Sequence, residues 1–199
     1  MSLFSYQIEF ISIVNNRYAF IRIIQLSACG FHTGCLTADG ELYSWGEGKF
    51  GRLGHGAERN CHVPRLVETL LGKRPRQVSC GGFHTAVVTE DGRLYTFGGG
   101  EHGQLGHNDR VNKVKPTFVQ ALDGVFVSQI TCGWSHSVAL TSKGRIFTWG
   151  NGDHGKVSFT TILLFEIFFR SVCWLKSNRD LLFCFEILYV SFPYLFYTT

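Results

Sequence analysis

An internal repeat of 52 residues runs through the centre of the chain and limits what it can fold into. The tripeptide Phe31-His32-Thr33 returns as Phe83-His84-Thr85 and, in altered form, as Ser135-His136-Ser137. No insertion or deletion is needed to align the copies from residue 32 to residue 156, about two and a half repeats. A fixed period of this length is typical of folds in which one supersecondary unit stacks on the next.

The repeat confines the glycines and histidines to one part of the chain. All 23 Gly and all eight His lie between residues 30 and 155. We therefore divide the chain into a non-repeat N-terminal segment, residues 1–25, a repeat block, residues 26–156, and a non-repeat hydrophobic tail, residues 157–199. The positions that recur in register are assigned a structural role: His32, His84, His136, Trp45, Phe97, Trp149, Gly46, Gly98 and Gly150.

Each copy is predicted to form four short β-strands. In the second copy, the β-branched run 85–89 and the alternating run 93–97 flank Asp91-Gly92, which favours a hairpin with a tight primed turn. A Pro-led apolar run at 116–119 and a further strand at 127–132 complete the unit. Four strands in about 50 residues are typical of a β-propeller blade, so the sequence predicts an all-β fold.

Three motifs of the second copy carry a family resemblance. They are Cys80-Gly81-Gly82-Phe83-His84-Thr85, Asp91-Gly92-Arg93-Leu94-Tyr95-Thr96-Phe97-Gly98 and Gly103-Gln104-Leu105-Gly106-His107. Residues 26–156 thereby resemble the regulator of chromosome condensation repeat family, although Cys29 stands where the later copies have Gly. The resemblance implies a seven-bladed propeller of four-stranded blades. Because seven copies of 52 residues exceed the 199 residues present, we expect an incomplete propeller, either a fragment of a larger protein or a product that cannot close alone.

Both flanking segments lack the repeat and carry a different composition. Lys156-Val157-Ser158 is what an exon end followed by a splice donor encodes, and the tail is rich in Phe, Leu, Ile and Tyr. We interpret the tail, and the N-terminal segment with it, as translated non-coding sequence from a retained intron or a gene-model error. A membrane anchor is the alternative, but the apolar stretches 159–169 and 181–196 are short and carry carboxylates, so membrane insertion is not expected.

The repeated glycines resemble a dinucleotide-binding motif, and the repeated cysteines and histidines resemble zinc ligands. The surrounding sequence argues against both sites. Segments Gly-x-Gly-x-x-Gly begin at Gly46, Gly98 and Gly150, but a dinucleotide site needs a helix start directly afterwards, which is absent. Cys80-x3-His84 and its copy lie in separate blades, so they do not form a closed zinc site. We predict no catalytic, cofactor-binding or metal-binding residue, and expect the repeated His to bond to backbone and the repeated Cys to be buried.

Charge and cysteine usage narrow the class of partner. The net charge is +4, and the only dense basic cluster is residues 73–76, so no specific nucleic-acid binding is predicted. Seven Cys without a CxxC motif favour reduced thiols and a cytoplasmic or nuclear location. Gly133-Trp134-Ser135-His136 resembles the plant UV-B photoreceptor branch, but Ser135 replaces its Arg, so Trp134 is predicted to be a core residue.

The function favoured by the family resemblance is non-catalytic protein interaction. The resemblance implies scaffolding or regulation of small GTPases, chromatin or ubiquitin-ligase components. Guanine-nucleotide exchange by the complete parent protein is one alternative, and a non-functional truncated product is another. The candidate contact residues lie in the loops in which the copies differ most: Glu47, Lys49, Phe50, Arg52, Glu101, His102, Gln104, Asn151, Asp153 and His154.

Overall fold

The computed structural model describes residues 10–14, 17–157, 173–176 and 181–186. These residues form strands and short 3-10 turns, with no α-helix among them. The strands are β1 Phe10–Val14, β2 Arg17–Ile21, β3 Ile23–Cys29, β4 His32–Thr37, β5 Leu42–Gly46, β6 Cys61–Leu66, β7 Pro75–Cys80, β8 His84–Thr89, β9 Leu94–Gly98, β10 Lys113–Phe118, β11 Val127–Cys132, β12 His136–Thr141, β13 Arg145–Gly150, β14 Cys173–Lys176 and β15 Leu181–Glu186.

The strands build three antiparallel sheets that we call blades. Blade 1 is β3-β4-β5-β6 and blade 2 is β7-β8-β9-β10, each in sequence order, while β1 and β2 pair separately. The order in blade 3 is β11-β12-β13-β15-β14, so a strand from the tail occupies the fourth place. This arrangement confirms the predicted all-β fold of four-stranded blades in an incomplete propeller. The first blade begins at Ile23, three residues before the predicted start of the repeat block.

The hairpins lie where the Asp-Gly pairs predicted them, but their turns differ from the prediction. Gly92 has a φ of +78° and its N–H donates to the Thr89 carbonyl, while Thr89 N–H donates to the Arg93 carbonyl. The loop therefore has three residues, with one glycine in the left-handed region, and is not the two-residue primed turn. Gly40 and Gly144 repeat this geometry at φ values of +75° and +76°.

Most of the tail lies outside the described residues. The first apolar stretch, 159–169, is among the residues that are not described, and of the second only β15 is. Among the described residues, no helix has the length and apolar character needed to cross a bilayer. The coding origin of the tail stays a prediction.

The apolar core lies between neighbouring blades. Blades 1 and 2 share a cluster that includes Leu36, Val78 and the fully buried Phe97. Blades 2 and 3 share a second cluster, in which Val88 of blade 2 packs with residues such as Ile130 of blade 3. Because neighbouring blades bury their facing surfaces against each other, the side chains of Phe97 and Trp149 fill the space between the sheets.

Candidate functional site

The turns between the first and second strands of the three blades bring aromatic side chains together. Phe31 and Phe83 both pack edge-on against Trp134, with ring centroids 6.4 and 5.4 Å apart. Phe50, from the loop after β5, packs against Phe83 at 5.9 Å. Gly82 allows this approach, because a Cβ there would lie 2.7 Å from the Trp134 ring. We call Phe31, Phe50, Phe83 and Trp134 the aromatic surface.

The aromatic surface is only partly covered. Phe31 is 57% exposed and Trp134 is 55% exposed. The prediction that Trp134 is a core residue is therefore wrong. Its position at the end of a turn, beside the neighbouring Phe side chains, keeps one side of the indole open. An exposed apolar patch of this kind marks a binding surface more often than an isolated exposed side chain does.

A buried arginine lies beneath the aromatic surface. Arg52 is 1% exposed, and its Nη1 donates to the Gly82 carbonyl at 3.1 Å while its Nε donates to the Lys49 carbonyl at 3.0 Å. Nη1 also forms an ion pair with Glu47 at 3.0 Å. Burial lowers the pKa of the guanidinium and the Glu47 carboxylate opposes that shift. The guanidinium carbon lies 5.4 to 5.8 Å from the ring centroids of Phe31, Phe50 and Phe83. The positive charge is therefore attracted to all three rings by cation–π interactions.

Two of the predicted contact residues are buried. Arg52 and Gln104 occupy equivalent positions, and each is 1% exposed. The Gln104 side-chain oxygen accepts a hydrogen bond from His102 N–H. The main-chain carbonyl of Gln104 accepts from the Ser137 hydroxyl and the Trp149 indole N–H. The loop folds back under the next blade at this point, so a polar residue type did not indicate exposure.

The other predicted contact residues lie at the surface of the loops. Exposed ones are Lys49, Glu101, His102, Asp153 and His154, and half-buried ones are Glu47, Phe50 and Asn151. A shallow cavity of about 140 Å³ joins two of the loops, with Phe50, Phe83, Glu101 and His102 in its wall. The loop of blade 3 does not line this cavity.

Two of the three repeated histidines, His32 and His84, bond to hydroxyl groups of the next blade, which corrects the predicted bond to backbone. His32 Nε2 lies 2.7 Å from Thr85 Oγ1, and His84 Nε2 lies 2.8 Å from Ser137 Oγ. Each hydroxyl donates its own hydrogen to a carbonyl, that of Arg52 or Gln104. The histidine must therefore donate from Nε2, which leaves Nδ1 as an unpaired acceptor.

This arrangement holds the histidines neutral. Burial lowers the pKa of His32 to about 4 and that of His84 to about 3. In the unfolded chain both titrate near pH 6.5, so below that pH the unfolded state binds more protons than the folded state. Stability is therefore lost as the pH falls from about 6.5 towards the folded-state pKa values.

We expect the free energy of unfolding to decrease steadily between pH 7 and pH 5, measured by urea denaturation. Carboxylates with normal or lowered pKa values contribute little to the change in the free energy of unfolding between pH 7 and pH 5. A His84→Gln variant should be less stable at pH 7 but should show a flatter pH dependence, whereas a variant at the exposed His102, His102→Gln, should keep the native slope. A free energy of unfolding that is constant between pH 7 and 5 would contradict the assignment.

No metal-holding cluster is found in the described part of the chain. There, no three His, Cys, Asp or Glu side chains come together in a way that could hold a metal ion. Burial raises the pKa of the Cys80 and Cys132 thiols to about 12, which keeps them protonated and unreactive. The first Gly-x-Gly-x-x-Gly segment, residues 46–51, ends in a 3-10 turn of three residues, Lys49–Gly51, which is too short to act as a phosphate-binding helix start.

Comparison with known families explains the period of the repeat. The profile "Regulator of chromosome condensation (RCC1) repeat" matches residues 39–88 and 91–140, and a second profile with the same description matches 76–104 and 127–156. The chain belongs to the RCC1 repeat family. The predicted family is thereby confirmed, and each match of the first profile runs from the later strands of one blade into the first strands of the next.

Two curated RCC1-repeat relatives match the repeat block. The human E3 ubiquitin-protein ligase HERC2 is 45% identical over 139 residues, which are 69% of this chain and 3% of HERC2. The ultraviolet-B receptor UVR8 of Arabidopsis thaliana is 42% identical over 137 residues, 69% of this chain and 31% of UVR8. The chain therefore spans a small part of each relative, and the match to HERC2 carries no ligase activity over to it.

Solved structures agree with the fold. Human WBSCR16 has a TM-score of 0.62 and 28% identity, covering 71% of this chain and 39% of that one. Prp20p of Saccharomyces cerevisiae has a TM-score of 0.60 and 24% identity, covering 71% of this chain and 35% of that one. These RCC1-type propellers support a partial propeller over the repeat block.

Proposed function

We propose that this RCC1-repeat chain is a non-catalytic protein-interaction module that binds its partner through the aromatic surface. The observation that carries the proposal is the pairing of Phe31 and Trp134, both more than half exposed and both held in place by neighbouring rings. Aromatic side chains are enriched in the energetically important centres of protein interfaces. Because Arg52 fixes the rings from beneath, little side-chain entropy is lost when a partner binds.

The predicted contact loops supply a polar rim to this surface. Lys49 and Glu101 are exposed beside the aromatic side chains and carry opposite charges, and His102 is also exposed there. A mixed rim of this kind favours orientation of a partner over simple charge attraction. Arg52 and Gln104 take the different role of supporting the loops from inside.

Small GTPases and histones are the first partner classes to test. The solved structure of Prp20p is described as that of a protein with binding properties towards Gsp1p and histones. Guanine-nucleotide exchange and a ubiquitin-ligase scaffold would belong to a complete parent protein and stay predictions, as does a cytoplasmic or nuclear location. A chain that does not fold would support the remaining alternative, a non-functional product.

We expect Trp134→Ala to weaken binding at least about tenfold, because truncating an aromatic interface anchor removes its buried area. The full chain is titrated by calorimetry against two probes, purified Gsp1p and histone dimers. Leu71→Ala is the matched control, since Leu71 is 51% exposed but lies away from the aromatic surface. Equal affinity of the Trp134→Ala and wild-type chains would contradict the surface, and no binding to either probe would contradict the partner classes.

A further inference from the structure

The two internal interfaces between blades use the same set of polar contacts. From blade 1 to blade 2, the Gln25 side chain bonds to both the N–H and the carbonyl of Val78, at 2.9 and 3.1 Å. Ser27 Oγ accepts from Cys80 N–H at 2.9 Å. From blade 2 to blade 3 the pattern returns at equivalent positions: Gln77 with Ile130, Ser79 with Cys132 and His84 with Ser137. An amide, a hydroxyl and an imidazole of one blade thus bind the next blade.

Blade 3 carries the same three groups on its far side. One repeat after Gln77, Ser79 and His84 lie Gln129, Thr131 and His136. Gln129 and Thr131 are exposed, and no described residue bonds to either side chain. The apolar positions beside them are also less covered: Ala86 and Val88 are fully buried in blade 2, whereas their equivalents in blade 3 are half-buried. We call this the trailing strip.

Blade 1 carries the matching partner groups on its near side. One repeat before Val78, Cys80 and Thr85 lie Leu26, Ala28 and Thr33. Leu26 is 50% exposed, and Ala28 is also exposed. Ile24, two residues before Leu26 on the same strand, is 51% exposed. No described residue supplies a glutamine or serine to the backbone of Leu26 and Ala28. We call this the leading strip.

We propose that the trailing strip of one copy of this chain binds the leading strip of a second copy, head to tail, as a continuation of the blade stack. Gln129 bonds to the backbone of Leu26, Thr131 accepts from Ala28 N–H, and His136 donates to Thr33. Each contact repeats one that the chain already makes twice within itself. The contact is confined to the strips near the first strands, because Cys35, further out on blade 1, is already fully buried.

A head-to-tail contact of this type is heterologous, so each copy keeps one free strip. This property allows a complementation test with full-length chains followed by sedimentation equilibrium. Leu26→Glu blocks the leading strip by burying a charge against the partner, and Gln129→Glu blocks the trailing strip because a carboxylate cannot donate to the Leu26 carbonyl. Both residues are exposed, so the variants should fold, which circular dichroism checks.

We expect the wild-type chain to self-associate with increasing concentration and each variant alone to associate at least about tenfold more weakly. An equal mixture of the two variants should form a one-to-one complex, because it contains one intact trailing strip and one intact leading strip. Leu71→Glu is the matched control and should associate like the wild type. Association that Leu26→Glu leaves unchanged, or a mixture of folded variants that stays monomeric, would overturn the proposal and point to the aromatic surface or the tail instead.

Discussion

Replacing Gly98 with alanine is expected to lower the free energy of unfolding by about 3–5 kcal/mol. Gly98 has a φ of +108°, which side-chain-bearing residues adopt only under strain. A Cβ there would also lie 2.6 Å from the Phe83 carbonyl oxygen and 2.7 Å from the His84 Cα. Both neighbours are backbone atoms at the start of the paired strand, so they cannot move away without disturbing the pairing of β8 with β9 within blade 2. Urea denaturation measures the loss.

Alanine substitutions at two other glycines distinguish the cost of backbone strain from the cost of the steric clash. Gly72 has a φ of +75° with no atom within 4 Å of the position that a Cβ would take, so Gly72→Ala should cost only the backbone strain, about 1–2 kcal/mol. Gly152 has a φ of −92°, and the nearest atom to its Cβ position is 3.8 Å away, so Gly152→Ala should be nearly neutral. If Gly98→Ala costs no more than Gly72→Ala, the close approach of Gly98 to the Phe83 and His84 backbone is not what requires glycine.

Replacing Arg52 with methionine is expected to lower the free energy of unfolding by about 2–4 kcal/mol. The change leaves the carbonyls of Gly82 and Lys49 without a donor and the Glu47 carboxylate without its partner. It also removes the cation beneath the rings of the aromatic surface, so the fluorescence of Trp134 should shift. Thermal and urea denaturation measure the first effect and emission spectra the second.

Conservative changes test whether geometry or charge matters at this position. Arg52→Lys keeps the charge but cannot donate to Gly82 and Lys49 from two fixed nitrogens, so we expect it to recover less than half of the lost stability. Lys49→Met removes a cation from the exposed side of the same loop and should be neutral within about 0.5 kcal/mol. An Arg52→Met variant as stable as Lys49→Met would show that the buried arginine does not hold the loop.

The local signals in the sequence predicted the blades well. The strand predicted at 127–132 is β11, and the turn glycines Gly40, Gly92 and Gly144 all have positive φ values. These features depend on neighbouring residues and on a repeat that shows the same pattern three times. The turn type was wrong because a three-residue and a two-residue loop share the same Asp-Gly signal.

The features that the sequence did not predict all depend on contacts between distant residues. Arg52 is buried because a carbonyl 30 residues away, at Gly82, accepts its hydrogen bond. Trp134 is exposed because the rings of two other blades hold it at the end of a turn. The pairing of β15 with β13 links residues that carry no repeat motif, so no period could indicate it. A polar or aromatic residue type gives no information about such partners.

The glutamine side chain that links one blade to the next forms hydrogen bonds only with main-chain atoms. Gln25 and Gln77 bond to the N–H and carbonyl of Val78 and Ile130, so these hydrogen bonds do not depend on which buried apolar side chain occupies the receiving position. A duplicated repeat would therefore keep these hydrogen bonds to its neighbour without a compensating polar substitution on the other side. Gene duplication that lengthens such a chain would preserve this contact, because the same glutamine recurs in each repeat. The exchange of single repeats by protein engineering would preserve it for the same reason.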